Sequence, residues 1–213
     1  MRKLTIIGAS GHGKVVADIA KLNGYDEIVF LDDNEDVEVC GRYPVVGTIA
    51  MVPNINSAII VAIGNGSIRK RIMERFSNKT FPVLIHPNAV IADGVKIGKG
   101  TVIMAGAVVN SDSEIGEGCI INTTSSVDHD CIVGDYVHVA VGAHLCGTVT
   151  VGSETWIGAG AIVSNNISIG AGCMVGAGSV VVKDITERGT YMGVPARLKM
   201  NTCSNRGGVL PNP

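Results

Sequence analysis

Aromatic residues are scarce in this 213-residue chain: three Phe, four Tyr and one Trp, 4% in all. A core of this size cannot rest on ring packing and must come from aliphatic layers and turns. Charge is sparse too, with 17% Asp, Glu, Lys and Arg and a net charge of −2. That balance supplies no basic footprint for nucleic acid or for an anionic bilayer. No apolar run approaches the roughly 20 residues that span a membrane. The opening MRKLTIIGASGHG has two basic residues but only a four-residue apolar stretch, too short for a signal-peptide core. The expectation is a cytoplasmic protein. Six cysteines occur without a CxxC pair or ligand spacing, which predicts reduced thiols and no metal.

What the chain does have is 28 glycines and a period of six. From Ile91 through Ile97, Ile103, Val109, Ile115, Ile121, Val127 and onward to Val175 and Val181, every sixth residue is aliphatic, sixteen times in succession. Neither an amphipathic helix nor an alternating strand has that period. A hexapeptide-repeat β-helix does, because each hexad is a short strand plus a turn whose aliphatic side chain enters a stacked core. The position four residues further on is small or short and β-branched in every hexad but the one with Ile167, as a tight corner beside a filled core requires. Cys119, Cys131 and Cys173 fall on that column and read as core fillers, whereas Cys40, Cys146 and Cys203 have no evident partner.

Residues 1–85 follow another pattern. The apolar runs Leu4–Ile7, Ile28–Leu31 and Ala58–Ile63 end in Gly8-Ala9-Ser10-Gly11-His12-Gly13, Asp32-Asp33 and Gly64-Asn65-Gly66. Between them lie the helical pattern Val15, Val16, Ile19, Ala20, Leu22, stopped at Gly24, and after them a polar helix from Ser67 to Phe76. This alternation predicts a small Rossmann-like parallel α/β unit. Phe81–Ile85 reads as a further strand, and His86-Pro87, with His86 structural, marks the passage into a β-helix over residues 86–185. Residues 186–200, with Gly189, Gly193 and Pro195, are expected to cap its open end, and 201–213 to form a disordered tail.

Two features carry chemistry. The first is the loop after the first strand, G-x-x-G-x-G, which is not the dinucleotide fingerprint G-x-G-x-x-G. It opens a helix, where free N–H groups and the helix dipole favour phosphate. With Asp32-Asp33 and Gly64-Asn65 it predicts one crevice for a nucleotide or nucleotide-sugar, and its spacing argues against NAD(P). The alternative is a tight turn with no ligand. The second is Asp128-His129-Asp130, directly after inward Val127. His129 therefore points outward or sits at a corner, where a neighbouring carboxylate fixes the imidazole tautomer and suits it to general-base work; the alternative is an exposed polar turn. His129 and Gly147 are eighteen residues apart, about one coil, and should stack. His138 and His144 each precede an inward residue and should project outward as binding or merely exposed groups. Trp156 is expected on an outer face or at a subunit contact.

These segments resemble a known family. The hexapeptide register, GASGHG, Leu31-Asp32-Asp33, Ala62-Ile63-Gly64-Asn65 with Arg69 after it, the histidine between acids and Gly193-Val194-Pro195-Ala196 look like the bacterial sugar O- and N-acyltransferases. Within these they resemble the UDP-4-amino-sugar N-acetyltransferases of the bacillosamine pathway. The resemblance spans all but the last dozen residues. It implies a left-handed β-helix, a homotrimer with acetyl-CoA between neighbouring β-helices, and a UDP-amino-sugar held by the amino-terminal unit. It implies His129 as general base and Asp130 as the acid that raises its basicity, although relatives of this type carry glutamate at the positions of Asp128 and Asp130. It places nucleotide-sugar contacts on Ser10, Gly11, His12, Asp32, Asp33 and Gly64. Acetyl-CoA contacts fall on His138, Ala159 and Ala177, with the Gly147 N–H as oxyanion donor. Two rival functions share the scaffold: O-acetylation of sialic acid or another sugar hydroxyl, and a non-catalytic trimeric nucleotide-sugar-binding scaffold.

Overall fold

The computed structural model describes residues 1–199; the expected tail and Cys203 lie outside the described residues. Three parallel strands, β1 (Lys3–Ile7), β2 (Glu27–Leu31) and β3 (Ala58–Val61), form a sheet in the order β2-β1-β3. Alternate side chains serve opposite faces. Leu4, Ile6, Phe30 and Ile60 pack with helix α1 (Gly11–Leu22). Ile7, Leu31, Ile59 and Val61 pack on the other side with Ile72 and Met73 of helix α2 (Gly66–Arg75). Both helices start from the carboxyl end of a strand, so their amino termini lie at the same edge of the sheet. Gly24 ends α1 with φ +79, as read from the sequence. Val15 and Leu22, part of the apolar helical pattern, are instead exposed, because the buried stripe of α1 runs through Val16, Ala17, Ile19 and Ala20.

The repeat folds into a parallel β-helix of two-residue strands with three faces. The first face runs from Val90–Ile91 to Val180–Val181, the second from Lys96–Ile97 to Ser168–Ile169, and the third from Leu84–Ile85 through Met174–Val175 to Thr190–Met192 and Arg197–Leu198. Strands pair parallel with residues eighteen apart, Val109 with Val127 and Val127 with Leu145. The periodic aliphatics and the small column form one continuous buried core. Every sixth residue from Gly94 to Gly178 has a positive φ, including Asp112, Thr124, Asp130, Tyr136 and Thr148. Each corner therefore contains one left-handed residue, which turns the chain about 120° onto the next of three faces.

Buried hydroxyls of the small column fasten the corners from inside. Thr101 Oγ1 donates to Gly116 O (2.8 Å) and accepts from Cys119 N (3.0 Å), and Thr155 repeats the pattern with Gly170 O and Cys173 N. Burial pushes the Cys119 thiol up to about 12, so it stays protonated as filler. Cys40, Cys119, Cys131, Cys146 and Cys173 are all free thiols.

One sequence expectation needs correction. Phe81–Ile85 does not add to the α/β sheet; only Leu84–Ile85 is strand, and it pairs with Val102–Ile103 of the third face. Leu84 N and His86 N donate to Thr101 O (3.0 Å) and Ile103 O (2.9 Å). The signal was present, since Ile85 lies six residues before Ile91. Next to it, His86 Nδ1 accepts from Asn88 N at 3.0 Å, a local turn bond.

The amino-terminal unit docks on the third face. Leu84, Val102 and Ile120 point out of the prism yet are buried against the α1 side of the sheet. At the centre sits Arg69, 1% exposed and without a carboxylate partner among the described residues. Its guanidinium donates to Gly118 O (2.8 Å), Ile63 O (2.9 Å), Gly64 O (2.8 Å), Tyr136 O (2.6 Å) and Val137 O (3.3 Å). Burial lowers its pKa to about 10, which leaves it charged at neutral pH. One planar fork thus ties α2 and the β3 end to two successive coils, a task a point-charge ammonium cannot do. Arg69→Leu is expected to cost about 3 kcal/mol or more of stability, since it orphans buried carbonyls. Arg69→Lys should recover little of it; urea midpoints of the two variants check both statements.

Candidate active site

His129 lies at the corner between the first and second faces, two residues after inward Val127 of strand Ser126–Val127. Its side chain is 55% exposed, so the ring is open to a reactant. The corner is held on three sides. Asp128 Oδ1 accepts from the His129 backbone N–H (2.9 Å) and from Asn110 Nδ2 (2.8 Å) one coil away. From inside, Ser113 Oγ donates to Asp128 O (2.6 Å) and accepts from Cys131 N (3.1 Å), spanning the corner. Asp130, left-handed at φ +57, turns its carboxylate back so that Oδ2 meets His129 Nδ1 at 2.7 Å. Nδ1–H therefore donates to Asp130 and Nε2 keeps its lone pair. The Asp130 bond, followed by the charge of Asp128, raises the His129 pKa above its usual 6.5.

One coil on, Gly147 stacks against this ring. A Cβ there would lie 2.6 Å from His129 Nε2, so only glycine leaves the imidazole its place. Thr148 N donates to His129 O (2.9 Å), while the Gly147 N–H has no acceptor among the described residues. The free ring nitrogen and a free peptide donor thus belong to adjacent coils of one edge.

A second set of groups meets at the carboxyl ends of β1, β2 and β3. Gly8, at φ +107, passes so close to Ala62 O that an added Cβ would sit 2.8 Å from it. Ser10 precedes α1 without a side-chain cap, and no acidic residue occupies the first turn. The first intrahelical bond is Lys14 N to Ser10 O, which leaves the N–H groups of Gly11, His12 and Gly13 for an anion. Asp32 accepts from Ala9 N (2.6 Å) and Asn34 N (2.9 Å), and Asp33 from Ile49 N (2.9 Å). Beside them is a cleft of about 350 Å³ lined by Gly8, Asp32, Asp33, Ile49, Ile63, Ile68, Arg71 and Arg75, among others. Arg71 and Arg75 belong to no sequence motif; only their spacing of four on a polar helix places them on one side of it.

His138 and Trp156 do project from the prism, but onto the covered third face. Their rings lie 4.4 Å apart, and His12 of α1 stands 6.5 Å from His138. His138 Nε2 contacts Asn122 Nδ2 at 3.1 Å. Trp156 thus packs on an outer face of the β-helix, against Gly64 of the same chain. Burial, then the Arg69 charge, lowers His12 to about 4 and His138 to about 3, so both are neutral. His144 is exposed on the first face, its Nδ1 2.8 Å from Ser126 Oγ. Ala159 and Ala177 are exposed at corners between the third and first faces. In a single chain they occupy a different edge from His129.

Residues 3–76 match the PglD N-terminal domain, and residues 82–111 and 148–183 match the bacterial transferase hexapeptide (six repeats). The fold is similar to the acetyltransferase domain of PglB from Neisseria gonorrhoeae FA1090, with a TM-score of 0.90 and 44% identity over 93% of this chain and 100% of that one. The same domain in complex with acetyl coenzyme A gives 0.90 and 43%, over 93% and 99%. The chain belongs to this family of hexapeptide acetyltransferases. PerB from Caulobacter crescentus, in complex with CoA and GDP-perosamine, shares a TM-score of 0.88 and 35% identity over 94% of this chain and 98% of that one. UDP-N-acetylbacillosamine N-acetyltransferase from Bacillus subtilis (strain 168) is 38% identical over 113 residues, a match spanning 49% of this chain and about half, 52%, of that protein.

In this acetyltransferase-family chain, the hydrogen bond from Asp130 is the first cause of the raised His129 pKa. Asp130→Asn keeps a residue that tolerates the left-handed corner but removes the charge. The ring-proton titration of His129, followed by NMR, should move to lower pH in that variant. A titration that does not move would show that the carboxylate leaves the imidazole unaffected.

Proposed function

We propose that this protein moves the acetyl group of acetyl-CoA to the amine of a UDP-linked 4-amino-sugar, with His129 as general base. The observation that carries the reading is the His129 corner. Its Nδ1 is tied to Asp130, its Nε2 has no partner among the described residues, and the peptide N–H of Gly147 one coil on has no acceptor among them either. The names of its relatives support the substrate class: one acts on UDP-N-acetylbacillosamine chemistry, one is bound to acetyl coenzyme A, and one to CoA with GDP-perosamine.

The transfer is direct. The sugar amine attacks the thioester carbonyl while His129 Nε2 takes its proton; the N–C bond forms and the carbonyl oxygen becomes an oxyanion. The Gly147 N–H faces that charge. Collapse breaks the C–S bond, and His129 returns the proton to the departing thiolate. Asp130 stabilises the imidazolium between these steps. The buried thiols whose pKa values burial raises, Cys40, Cys119, Cys131 and Cys173, are poor nucleophiles, which fits a route without an acyl-enzyme.

The sugar nucleotide occupies the amino-terminal crevice, with Ser10, Gly11 and His12 at its phosphate side, Asp32 and Asp33 at the opposite side, and Gly64 at its floor. Acetyl-CoA runs past Ala159 and Ala177, whereas His138, 7% exposed on the covered third face, offers it only an edge. Ala159 and Ala177 stand on another edge of the prism from His129, which supports the reading of a homotrimer with its sites between copies. Single outward apolar groups such as Ile162 (39% exposed) and Val90 (61% exposed) lie on the first face, where a neighbour would cover them.

Loss of a general base commonly costs 10²–10⁴-fold, so His129→Ala should reduce thiol release from acetyl-CoA by about that factor while the protein stays folded. Gly147→Ala should also lose most turnover, since the new methyl displaces the ring. Because the His129 pKa is raised and the neutral form is needed, kcat/KM should climb with pH through an inflection above 6.5, and Asp130→Asn should lower that inflection. Thiol release measured with UDP-4-amino-sugars and with sialic acids separates amine from hydroxyl acceptors. Release only with sialic acids overturns the N-acetyl reading, and nucleotide-sugar binding without any release overturns catalysis.

A further inference from the structure

The cleft beside Asp32 and Asp33 has a chemical character of its own. Along α2, Ile68, Arg71, Ile72 and Arg75 follow the i, i+3, i+4, i+7 spacing of one helix stripe, and all four line the cleft. The two isoleucines, together with Ile49 and Ile63, give the cleft an apolar lining. Neither arginine has a carboxylate partner among the described residues. Arg75 lies over the Phe76 ring, 4.9 Å from its centroid, which holds its stem while the fork stays free. Across the cleft, both Asp32 oxygens already accept backbone N–H groups, whereas Asp33 uses Oδ1 for Ile49 N and keeps Oδ2 open.

We propose that Arg71 and Arg75 make this cleft the seat of the nucleobase and select bases with a lactam edge, a carbonyl next to a ring N–H, over bases without one. The inference rests on the nucleotide-sugar reading above and deepens it. A phosphate group would meet the two aspartates here as like charges, and the free N–H groups at the start of α1, next to Gly8, offer it a better seat. A neutral base satisfies both walls. Its carbonyl accepts from a guanidinium, its ring N–H donates to Asp33 Oδ2, and its faces lie on isoleucine. Uracil and guanine have that edge; adenine has no carbonyl, and the ring nitrogen of cytosine beside its carbonyl carries no hydrogen. A site built around such hydrogen bonds discriminates strongly, because the wrong ligand leaves its polar groups unpaired.

The test is binding of UDP, GDP, ADP and CDP to the full chain by calorimetry, repeated with Arg71→Ala and Arg75→Ala, plus uridine by ligand-detected NMR. Both arginines are exposed, so the variants should unfold at the same temperature as the parent. The expected result is UDP or GDP binding at least about 10-fold tighter than ADP and CDP, with an arginine variant losing about 10-fold for UDP and for uridine alike. ADP and CDP binding as tightly as UDP and GDP overturns the selectivity. A loss seen with UDP but not with uridine assigns the arginines to phosphate and overturns the base assignment. If the parent binds no nucleotide at all, the nucleotide-sugar reading itself fails; if it binds UDP and both variants bind it equally well, only this inference fails.

Discussion

Everything in this molecule depends on the backbone ladder that joins each coil to the next at a separation of eighteen residues. The ladder satisfies the peptide groups of strands only two residues long, which could not persist alone. It also makes position along the sequence equivalent to position in space. His129 meets Gly147, Asp128 meets Asn110 and Cys131 meets Ser113 because each pair is eighteen apart. The site is therefore not a loop decorated with reactive groups. It is a corner of a stack, with the coils on either side fixing it from below, above and within.

That equivalence explains what could be read in advance. The period of six stands out because an aliphatic residue recurs sixteen times without a slip, and the stacking of His129 on Gly147 follows from arithmetic. The start of the repeat at Ile85 and the fastening of the corner by Ser113 were equally available in the same register. The destination of His138 and Trp156 was not. Local periodicity separates inward from outward, but it does not tell which of three outward faces another part of the chain will cover. Leu84, Val102 and Ile120, outward and apolar on one face, carried that information only once the faces were known.

Arg69 was the least legible residue. Arginine is rarely buried unless paired, and its partners here are peptide carbonyls, which leave no trace in side-chain identity. A guanidinium with five donors can satisfy a ring of carbonyls with one group, and no sequence pattern distinguishes that use from an exposed helix charge. Arg71, two residues on, is indeed exposed. The difference between them is one of helix phase: Arg69 faces the junction, and Arg71 faces the cleft.

The position of Arg69 on α2 has a mechanical consequence. The same short helix that walls the cleft is bolted through this side chain to Gly118, Tyr136 and Val137 of the β-helix. Such a joint has no hinge, so the two units should melt in a single cooperative transition. Occupancy of the cleft would then stiffen the whole particle. The corner that carries His129 belongs to the same stack of coils and is held by the same frame.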